Sequence, residues 1–302
     1  MHDPLLLKLV RWYDHHSPVP RGKRLLYTRA LRIQSFADEE RILASRQGQR
    51  FRVNLRDRLF RDLYFLGEYE PEVSAVARSL LQPGETAVDV GANFGWFTLL
   101  FAEAVGSSGQ VHSFEPVPSN YEQLVTNLSI NGHPSQVRAN NVALGDSPGE
   151  VVLHVFEGLN QGHASMSSLG RSDYTTYTAS LVTLDDYLGG VGRSEVAVLK
   201  CDVEGAELAV LRGARSTLSS DWPPLLIIEI NETTARAFGF HPEDLLVLLA
   251  GYGYEFFRIT RRGAVPLATI GDCRHGDNLL CGVPDIHGTR IGTVIDPRLV
   301  EH

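Results

Sequence analysis

The spacing of apolar residues changes near residue 70 and divides the chain into unequal parts. Before this point, residues 5–13 have the spacing of an amphipathic helix, and "RFRVNL" alternates like a strand with one buried face. Beyond it, the apolar residues in 72–81 fit one face of a helix that ends at "QPGE". We therefore predict an N-terminal arm over residues 1–70, a main domain over 71–284 and a C-terminal tail over 285–302.

Strands and helices alternate throughout the main domain. The stretches "TAVDVG", "QVHSFEP", "VAVLKCDVEG" and "PPLLIIEIN" are predicted strands, and helices are predicted over 95–105, 119–131 and 242–249. Residues 196–199 are continuously apolar, which is typical of a parallel strand covered on both faces. The predicted fold class is α/β, with a doubly wound, Rossmann-like sheet that is mostly parallel and has an antiparallel last strand. In such sheets, ligands bind beyond the carboxyl ends of the strands.

Charge and cysteine content argue against several classes of protein. With 28 Lys and Arg against 36 Asp and Glu, the net charge of −8 argues against a nucleic acid or an anionic membrane as partner. The apolar run "PLLLKLVRW" is too short for a membrane span and lacks the features of a secretory signal. Three cysteines are too few for a disulfide framework, so a reducing, cytoplasmic location is predicted. A homo-oligomer is left open.

The stretch "AVDVGANFGWFT" indicates a ligand at the first strand-to-helix turn. Its glycines, Gly91 and Gly95, do not form the G-x-G-x-x-G pattern of dinucleotide sites, because Asn93 stands where the middle glycine would make room for a pyrophosphate. Asp89 suits a cationic ligand better than a phosphate, although it also suits a turn or helix cap. Glu115 ends the next strand and can accept hydrogen bonds from two ribose hydroxyls. Together these residues predict a site for S-adenosylmethionine.

Several blocks of sequence are similar to those of FkbM-type methyltransferases. The blocks "DVGANFGWFT", "SFEPVPSNYEQLVTNLSIN", "NVALGD", "LVTLDDYL", "LKCDVEGAELAVLRGA" and "LLIIEIN" occur in the order and spacing of that family, over about residues 69–231. The resemblance implies a class I methyltransferase sheet and S-adenosylmethionine-dependent O-methylation. It implies a small-molecule acceptor with a hydroxyl, on a sugar or a polyketide-type natural product.

The resemblance also implies which residues contact the cofactor. It adds Ser119, Val142 and Asp146 to the residues of the first turn and the second strand end, and the cofactor set becomes Asp89, Gly91, Asn93, Gly95, Glu115, Ser119, Val142 and Asp146. Asp146 equally suits a cap of the turn "GDSPGE".

Acidic residues end the fourth and fifth parallel strands. Asp202 and Glu204 follow one strand, and Glu229 and Asn231 end the next, each pair with the spacing of two that places side chains on one face. In catechol-type O-methyltransferases a similar arrangement holds magnesium, so Asp202, Glu229 and Asn231 are candidate Mg²⁺ ligands. The alternative is that Glu204 and Glu207 cap and charge a helix N-terminus, and that Glu229 pairs with Lys200 or an arginine.

Methyl transfer to an aliphatic hydroxyl requires a group that accepts its proton. Asp202, Glu204 and His163 are the candidate catalytic residues, the last in a loop over residues 157–178 that is rich in hydrogen-bonding side chains. That loop and the arm are predicted to roof the cleft, and the polar loop favours a sugar acceptor. Two alternative functions stay open at this point: a nicotinamide-dependent Rossmann oxidoreductase and a non-catalytic cofactor-binding scaffold.

Overall fold

A computed structural model describes residues 4–17, 22–33, 36, 39–156, 164–165, 174–192 and 195–299. Two helices, a β-hairpin and a short helix precede the main domain: α1 (Leu5–His16), α2 (Lys23–Ile33), β1 (Glu40–Ala44), β2 (Arg50–Asn54), a 3₁₀ turn (Arg58–Phe60) and α3 (Arg61–Leu66). Their apolar side chains join the core of the main domain. Phe51, for example, packs its ring 5.1 Å from that of Trp96, centroid to centroid. The predicted arm is therefore held on the main domain by shared apolar burial.

The first half of the main domain alternates helices and strands as predicted. Its elements are α4 (Pro71–Leu80), β3 (Thr86–Val90), α5 (Trp96–Val105), β4 (Gln110–Phe114), α6 (Pro118–Ile130) and β5 (Val137–Asn140). A second, four-stranded sheet follows, in the order β6, β9, β7 and β8. Its strands are β6 (Ala143–Leu144), β7 (Gly149–Phe156), β8 (Ala164–Ser165) and β9 (Tyr174–Val182).

The second half returns to the central sheet and ends in a helix. Its first elements are α7 (Leu184–Gly190), β10 (Val196–Cys201), α8 (Glu207–Arg212), α9 (Arg215–Leu218), β11 (Leu225–Ile230), α10 (Glu232–Ala237) and α11 (Pro242–Ala250). The remaining elements are β12 (Glu255–Thr260), β13 (Gly263–Pro266), a 3₁₀ turn (Ile270–Asp272), β14 (Asp277–Gly282), α12 (Pro284–Val294) and a 3₁₀ turn (Pro297–Leu299).

The central sheet has eight strands in the order β13-β12-β14-β11-β10-β3-β4-β5. The five strands from β11 to β5 are parallel, and β14, β12 and β13 pair antiparallel. The predicted fold class, a Rossmann-like and mostly parallel sheet, is confirmed. Two strands rather than one, β14 and β13, run opposite to the five parallel strands, and β12 between them runs in the same direction as the five. β12 and β13 form a tight hairpin, which reverses the chain, whereas a parallel pair requires a long crossover.

Apolar layers cover both faces of the central strands. Leu199 and Cys201 on β10 and Ile227 and Ile228 on β11 are all buried, as their continuously apolar sequence predicts. Helix α12 begins where the tail was predicted, and its Ile291 and Val294 join the core. The domain boundaries themselves stay a prediction. In the part of the chain that the structure describes, none of the helices has the length and apolar character needed to cross a bilayer.

Candidate active site

A cavity lies at the carboxyl ends of the parallel strands, where ligands of doubly wound sheets bind. Four of the residues that line it follow or end β3, β4, β10 and β11: Gly91, Glu115, Asp202 and Glu229. An apolar wall comes from the segment after β4 and from the second sheet, with Val117, Ala143, Leu144 and Leu153. The arm contributes Leu59, Tyr69 and Glu70. The topology thus brings the predicted strand ends together with a part of the arm.

The turn after β3 is shaped by left-handed backbone at Gly91 (φ 79°), Asn93 (φ 48°) and Gly95 (φ 89°). A Cβ atom at Gly91 would lie 1.9 Å from the backbone oxygen of Asp202, and one at Gly95 would lie 2.6 Å from a methyl carbon of Leu124. The sequence interpretation ascribes the need for glycine to a close ligand. In the structure, the atoms that a side chain would strike belong to the protein itself, because the turn packs tightly against the end of β10 and against α6.

Glu115 is a buried carboxylate held by backbone donors. The N–H of Asn93 donates to Oε2 at 2.8 Å, and the N–H of Val117 donates to Oε1 at 2.9 Å. Burial raises the pKa of Glu115 to about 7, and the backbone donors oppose that rise. Since the side chain also lines the cavity, hydroxyl donors from a ligand can complete the hydrogen bonding of its ionised form.

Asp89 lies behind the cavity rather than in its lining. The Thr98 hydroxyl donates to Oδ2 at 2.6 Å, and Oδ1 has no hydrogen-bond partner within the described residues. Burial raises the pKa of Asp89, while the positive charge of Lys200, its register partner on β10, lowers it. A direct contact between Asp89 and the cofactor stays a prediction.

The remaining predicted cofactor residues do not line the cavity, but residues close to them in sequence do. Ser119 is exposed and lines a neighbouring pocket, whereas the adjacent Asn120 is buried and lines both. Val142 packs against the core beneath the second sheet, and the next two residues line the cavity instead. Asp146 is exposed and lines a separate groove beside Gly205. A displacement by one residue turns a side chain towards a different face, which motif spacing alone does not resolve.

A buried lysine lies among the acids of the cavity. The Nζ of Lys200 is 2.9 Å from Oδ2 of Asp202 and 4.5 Å from the centroid of the Phe97 ring. Burial opposes the charge of Lys200, but the negative charges of Asp202, Glu70 and Asp89 outweigh it and raise the pKa of the lysine. Sequence reasoning missed Lys200 as a site residue. The available signal was a lysine inside a continuously apolar strand, since lysine is rarely buried without a partner.

Glu229 and Asp202 are linked by a side-chain hydrogen bond. The negative charge of Asp202, followed by burial, raises the pKa of Glu229 to about 9. At neutral pH, a pKa of about 9 leaves Glu229 protonated, so Glu229 donates in this hydrogen bond, and the ammonium of Lys200 lies on Asp202 as well. This arrangement makes Asp202 the carboxylate of the pair that can accept a further proton.

Glu70, at the end of the arm, adds its carboxyl group to the acids around Lys200. Burial raises the pKa of Glu70 to about 7, and the positive charge of Lys200 opposes the rise. Its side chain hydrogen-bonds with that of Tyr69. No pattern in the sequence indicated Glu70, because its position over the sheet depends on how the arm folds back.

The predicted magnesium ligands do not fit a divalent ion as they are arranged. The side-chain oxygen of Asn231 accepts from the N–H groups of Thr233 (3.1 Å) and Thr234 (3.3 Å) and so caps α10. Asp202 is already paired with Lys200, a cation in the place where a metal would balance its charge. Across the described ranges, no group of three or more His, Cys, Asp and Glu has the geometry of a metal site.

Two predicted catalytic residues remain to be placed. The side chain of Glu204 lines the cavity and lies 3.4 Å from the amide nitrogen of Asn231. Its backbone is left-handed (φ 52°), so that the chain turns sharply into α8. His163 lies outside the described residues, as does most of the polar loop around it.

The family follows from comparison with known proteins. A family model described as the methyltransferase FkbM domain matches residues 89–256, which contain the turn after β3 and Glu115, Asp202, Glu204 and Glu229 of the cavity. The chain belongs to the FkbM methyltransferase family. It is therefore a methyltransferase of the class that uses S-adenosylmethionine.

The names of two curated relatives denote methyltransferases of different molecules. The chain is 28% identical over 207 residues to the 31-O-demethyl-FK506 methyltransferase FkbM of Streptomyces tacrolimicus, covering 58% of this chain and 74% of that protein. It is 26% identical over 204 residues to the hexuronic acid methyltransferase AglP of Haloferax volcanii, covering 67% of this chain and 75% of that protein.

One of the solved structures that match this chain is described as an FkbM methyltransferase. The FkbM methyltransferase from Methylobacillus flagellatus superposes with a TM-score of 0.42 and 17% sequence identity. The alignment covers 73% of this chain and 52% of that one, so this chain spans about half the length of that protein.

Proposed function

We propose that the protein is an S-adenosylmethionine-dependent O-methyltransferase that acts on a hydroxyl of a sugar or a sugar-bearing natural product. The observation that carries this proposal is the cavity at the strand ends, where Glu115 lies on one side and the acids around Lys200 lie on the other. Glu115 suits the hydroxyls of a nucleoside, and the acids around Lys200 suit a hydroxylated acceptor.

The cofactor fits the side of the cavity that contains Glu115. When bound, S-adenosylmethionine supplies an electrophilic methyl group on a positively charged sulfur. We assign the ribose hydroxyls to Glu115, whose two backbone donors leave acceptor capacity on the carboxylate. Ala143, Leu144 and Leu153 form an apolar wall that suits the adenine ring.

The acceptor is assigned to the side that contains Asp202, which we propose accepts the proton of the attacking hydroxyl. Glu229 holds a proton and fixes the Asp202 carboxylate through their hydrogen bond. Lys200 keeps Asp202 ionised, because their opposite charges are 2.9 Å apart in a buried site. Alignment of the hydroxyl with the methyl group supplies the larger part of the rate enhancement. His163 remains an alternative base.

A polyhydroxylated acceptor suits the polar lining. Glu70, Asp202 and Glu204 line the cavity with carboxyl oxygens, and each buried oxygen left unpaired by an apolar ligand would cost about 1–3 kcal/mol. The names of two relatives support this class of acceptor, since one denotes a hexuronic acid methyltransferase and the other a methyltransferase of an FK506 precursor. The acceptor is proposed to be a small molecule.

The experiment is a screen of glycosides against simple aliphatic alcohols with S-adenosylmethionine, using the mass of the product as the readout. We expect the glycosides to gain one methyl group. Methylation of only apolar alcohols, amines or thiols would contradict the sugar assignment. Cofactor binding without transfer to any acceptor would favour the non-catalytic alternative.

The assignment of Asp202 is tested with Asp202→Asn. This variant should lower kcat by about 100-fold, the scale of general-base catalysis, with cofactor affinity unchanged. Asp221→Asn is the matched control, because Asp221 is exposed and lies outside the cavity lining. An active Asp202→Asn would return the role of base to His163 or Glu204.

The absence of a role for magnesium is tested with a chelator. We expect methyl transfer to persist, because the ammonium of Lys200 already balances the charge of Asp202. Loss of turnover in chelator and its recovery with Mg²⁺ would restore the metal hypothesis.

A further inference from the structure

Helix α1 has apolar residues on two opposite faces. Leu7 and Val10 are buried in the core, whereas Leu5, Leu9 and Trp12 are 72%, 56% and 62% exposed. The exposed three are spaced at i, i+4 and i+7, so they form one stripe on the side away from the core. A helix of a soluble domain ordinarily carries polar residues there.

Helix α2 extends this exposed apolar surface. It buries Tyr27 and Ala30 in the same core and exposes Leu25, Leu26 and Ile33, the last at 76%. Because α1 and α2 pack against each other and bury their inner faces in one core, their outer faces form a continuous surface. We call it the outer face, defined by Leu5, Leu9, Trp12, Leu25, Leu26 and Ile33.

The exposed basic side chains of Lys8, Arg29 and Arg32 lie on the helices that carry the outer face, whereas Arg11 lies over the Tyr64 ring and Lys23 donates to the backbone oxygens of Asp14 and Ser17. The two helices carry Lys8, Arg11, Lys23, Arg24, Arg29 and Arg32, and within them the single acid, Asp14, is buried. Of the cations, Arg24 pairs with Asp62 of α3, and Lys8, Arg29 and Arg32 are exposed. The whole chain carries a net charge of −8, so this surface has a sign opposite to that of the molecule. The net charge is a sum over the whole chain and does not show where cations cluster.

We propose that the outer face docks on an anionic lipid surface. Trp12 and the leucines suit the boundary between headgroups and acyl chains, and the exposed cations suit lipid phosphates. A second copy of the chain is disfavoured as the occupant, because a symmetric contact would place the two sets of cations against each other. In this docking, α1 and α2 lie on the membrane surface and do not cross it.

Flotation of the whole chain with lipid vesicles tests the proposal. We expect binding to vesicles that contain phosphatidylglycerol, little binding to pure phosphatidylcholine, and weakening by salt, since the cations act through a screened potential. The double variant Leu9→Glu, Trp12→Glu should weaken binding by about tenfold or more. Trp222→Glu is the matched control, because Trp222 is 60% exposed outside this face and should have no effect.

Two further measurements keep the proposal distinct from the proposed enzymatic function. Arg29→Glu with Arg32→Glu should abolish the preference for anionic vesicles, whereas cofactor binding in every variant should equal that of the wild type, which also verifies folding. The proposal is overturned if the chain does not float with anionic vesicles, or if the Leu9 and Trp12 variant floats as well as the wild type. It is also overturned if that variant converts a dimer in solution into a monomer without affecting lipid binding.

Discussion

Among single residues, Glu115 shows how burial determines chemistry. A carboxylate in a buried site is costly in its ionised form unless donors surround it, and the two backbone donors of Glu115 leave its pKa raised to about 7. If ribose hydroxyls also donate to it, bound cofactor favours the ionised form, and binding below that pKa must release a proton.

We therefore expect cofactor affinity to fall as the pH decreases from about 8 to about 6, with proton release on binding. Titration calorimetry in two buffers of different ionisation enthalpy measures both effects. Glu115→Gln should remove the pH dependence and weaken binding by about 1.5–3 kcal/mol, the scale of hydrogen bonds to a charged group. Glu122→Gln, at an exposed position on α6 outside the cavity lining, is the control. Equal affinity in wild type and Glu115→Gln would remove Glu115 from the site.

Lys200 is the second residue whose replacement has a defined consequence. Without its charge, the Asp202 carboxylate loses the cation that lies 2.9 Å from its Oδ2 and remains beside the acids Glu70 and Glu229. Loss of a neighbouring cation disfavours the ionised form of a carboxyl group. In Lys200→Met we expect kcat to fall at neutral pH and the acidic limb of the pH–rate profile to move to higher pH.

Measurement of kcat across pH, with Lys8→Met as the control on the exposed surface, tests this expectation. A profile that falls uniformly without a shift would mean that Lys200 acts by positioning alone. Urea unfolding of both variants separates a loss of stability from a loss of catalysis.

At the scale of elements, the turn between β3 and α5 depends on contacts within the protein. Gly91→Ala combines a left-handed backbone with a Cβ atom 1.9 Å from the Asp202 backbone oxygen. We expect it to lower the free energy of unfolding by about 3 kcal/mol and to impair turnover, because the clash displaces the end of β10.

Gly132→Ala is the matched control for the turn. Gly132 has a similar φ of 85° but nothing within 4 Å of an added Cβ, so its replacement should cost only the backbone term of about 1 kcal/mol. Chemical denaturation of the two variants provides the comparison. Equal destabilisation would show that the contact with Asp202 is unimportant.

At the scale of the whole molecule, several buried acids act on stability in the same direction. Burial is the largest cause that raises the pKa of Glu70, Glu115 and Glu207 to about 7, and the charge of Asp202 is the largest for Glu229, at about 9, against an ordinary value of 4.5. The folded protein therefore retains protons that the unfolded chain releases. The stabilisation by these protons is complete below the ordinary carboxyl pKa of 4.5. It is lost as the pH rises through the pKa of about 7 of Glu70, Glu115 and Glu207 and then through the pKa of about 9 of Glu229.

We expect the free energy of unfolding to decrease between about pH 6 and about pH 9, as measured by denaturant titration at a series of pH values. Glu229→Gln retains a side-chain donor for Asp202 without titrating, so its stability should fall less steeply above about pH 7.5. A wild-type stability that rises over this range would contradict the raised pKa values of the acids.

Local sequence determined the strands and the glycine turn. A continuously apolar run such as residues 196–199 has no stable place except within a doubly covered sheet, and the order of strands and helices leaves few right-handed topologies. Because parallel strands end at the same edge, the meeting of Glu115, Asp202 and Glu229 at one cavity also follows from the sequence.

Tertiary structure alone decided the partners of these side chains. Lys200 pairs with Asp202, Asn231 caps a helix instead of binding a metal, and Glu70 reaches the cavity from the arm. The contacts of Lys200 with Asp202 and of Asn231 with the start of α10 are local in sequence. The approach of Glu70 and the burial that sets the charges around Lys200 depend on segments remote in sequence, and local spacing does not encode them. The outer face of α1 and α2 is a further case, since only packing reveals which of the two apolar faces of α1 the core leaves uncovered.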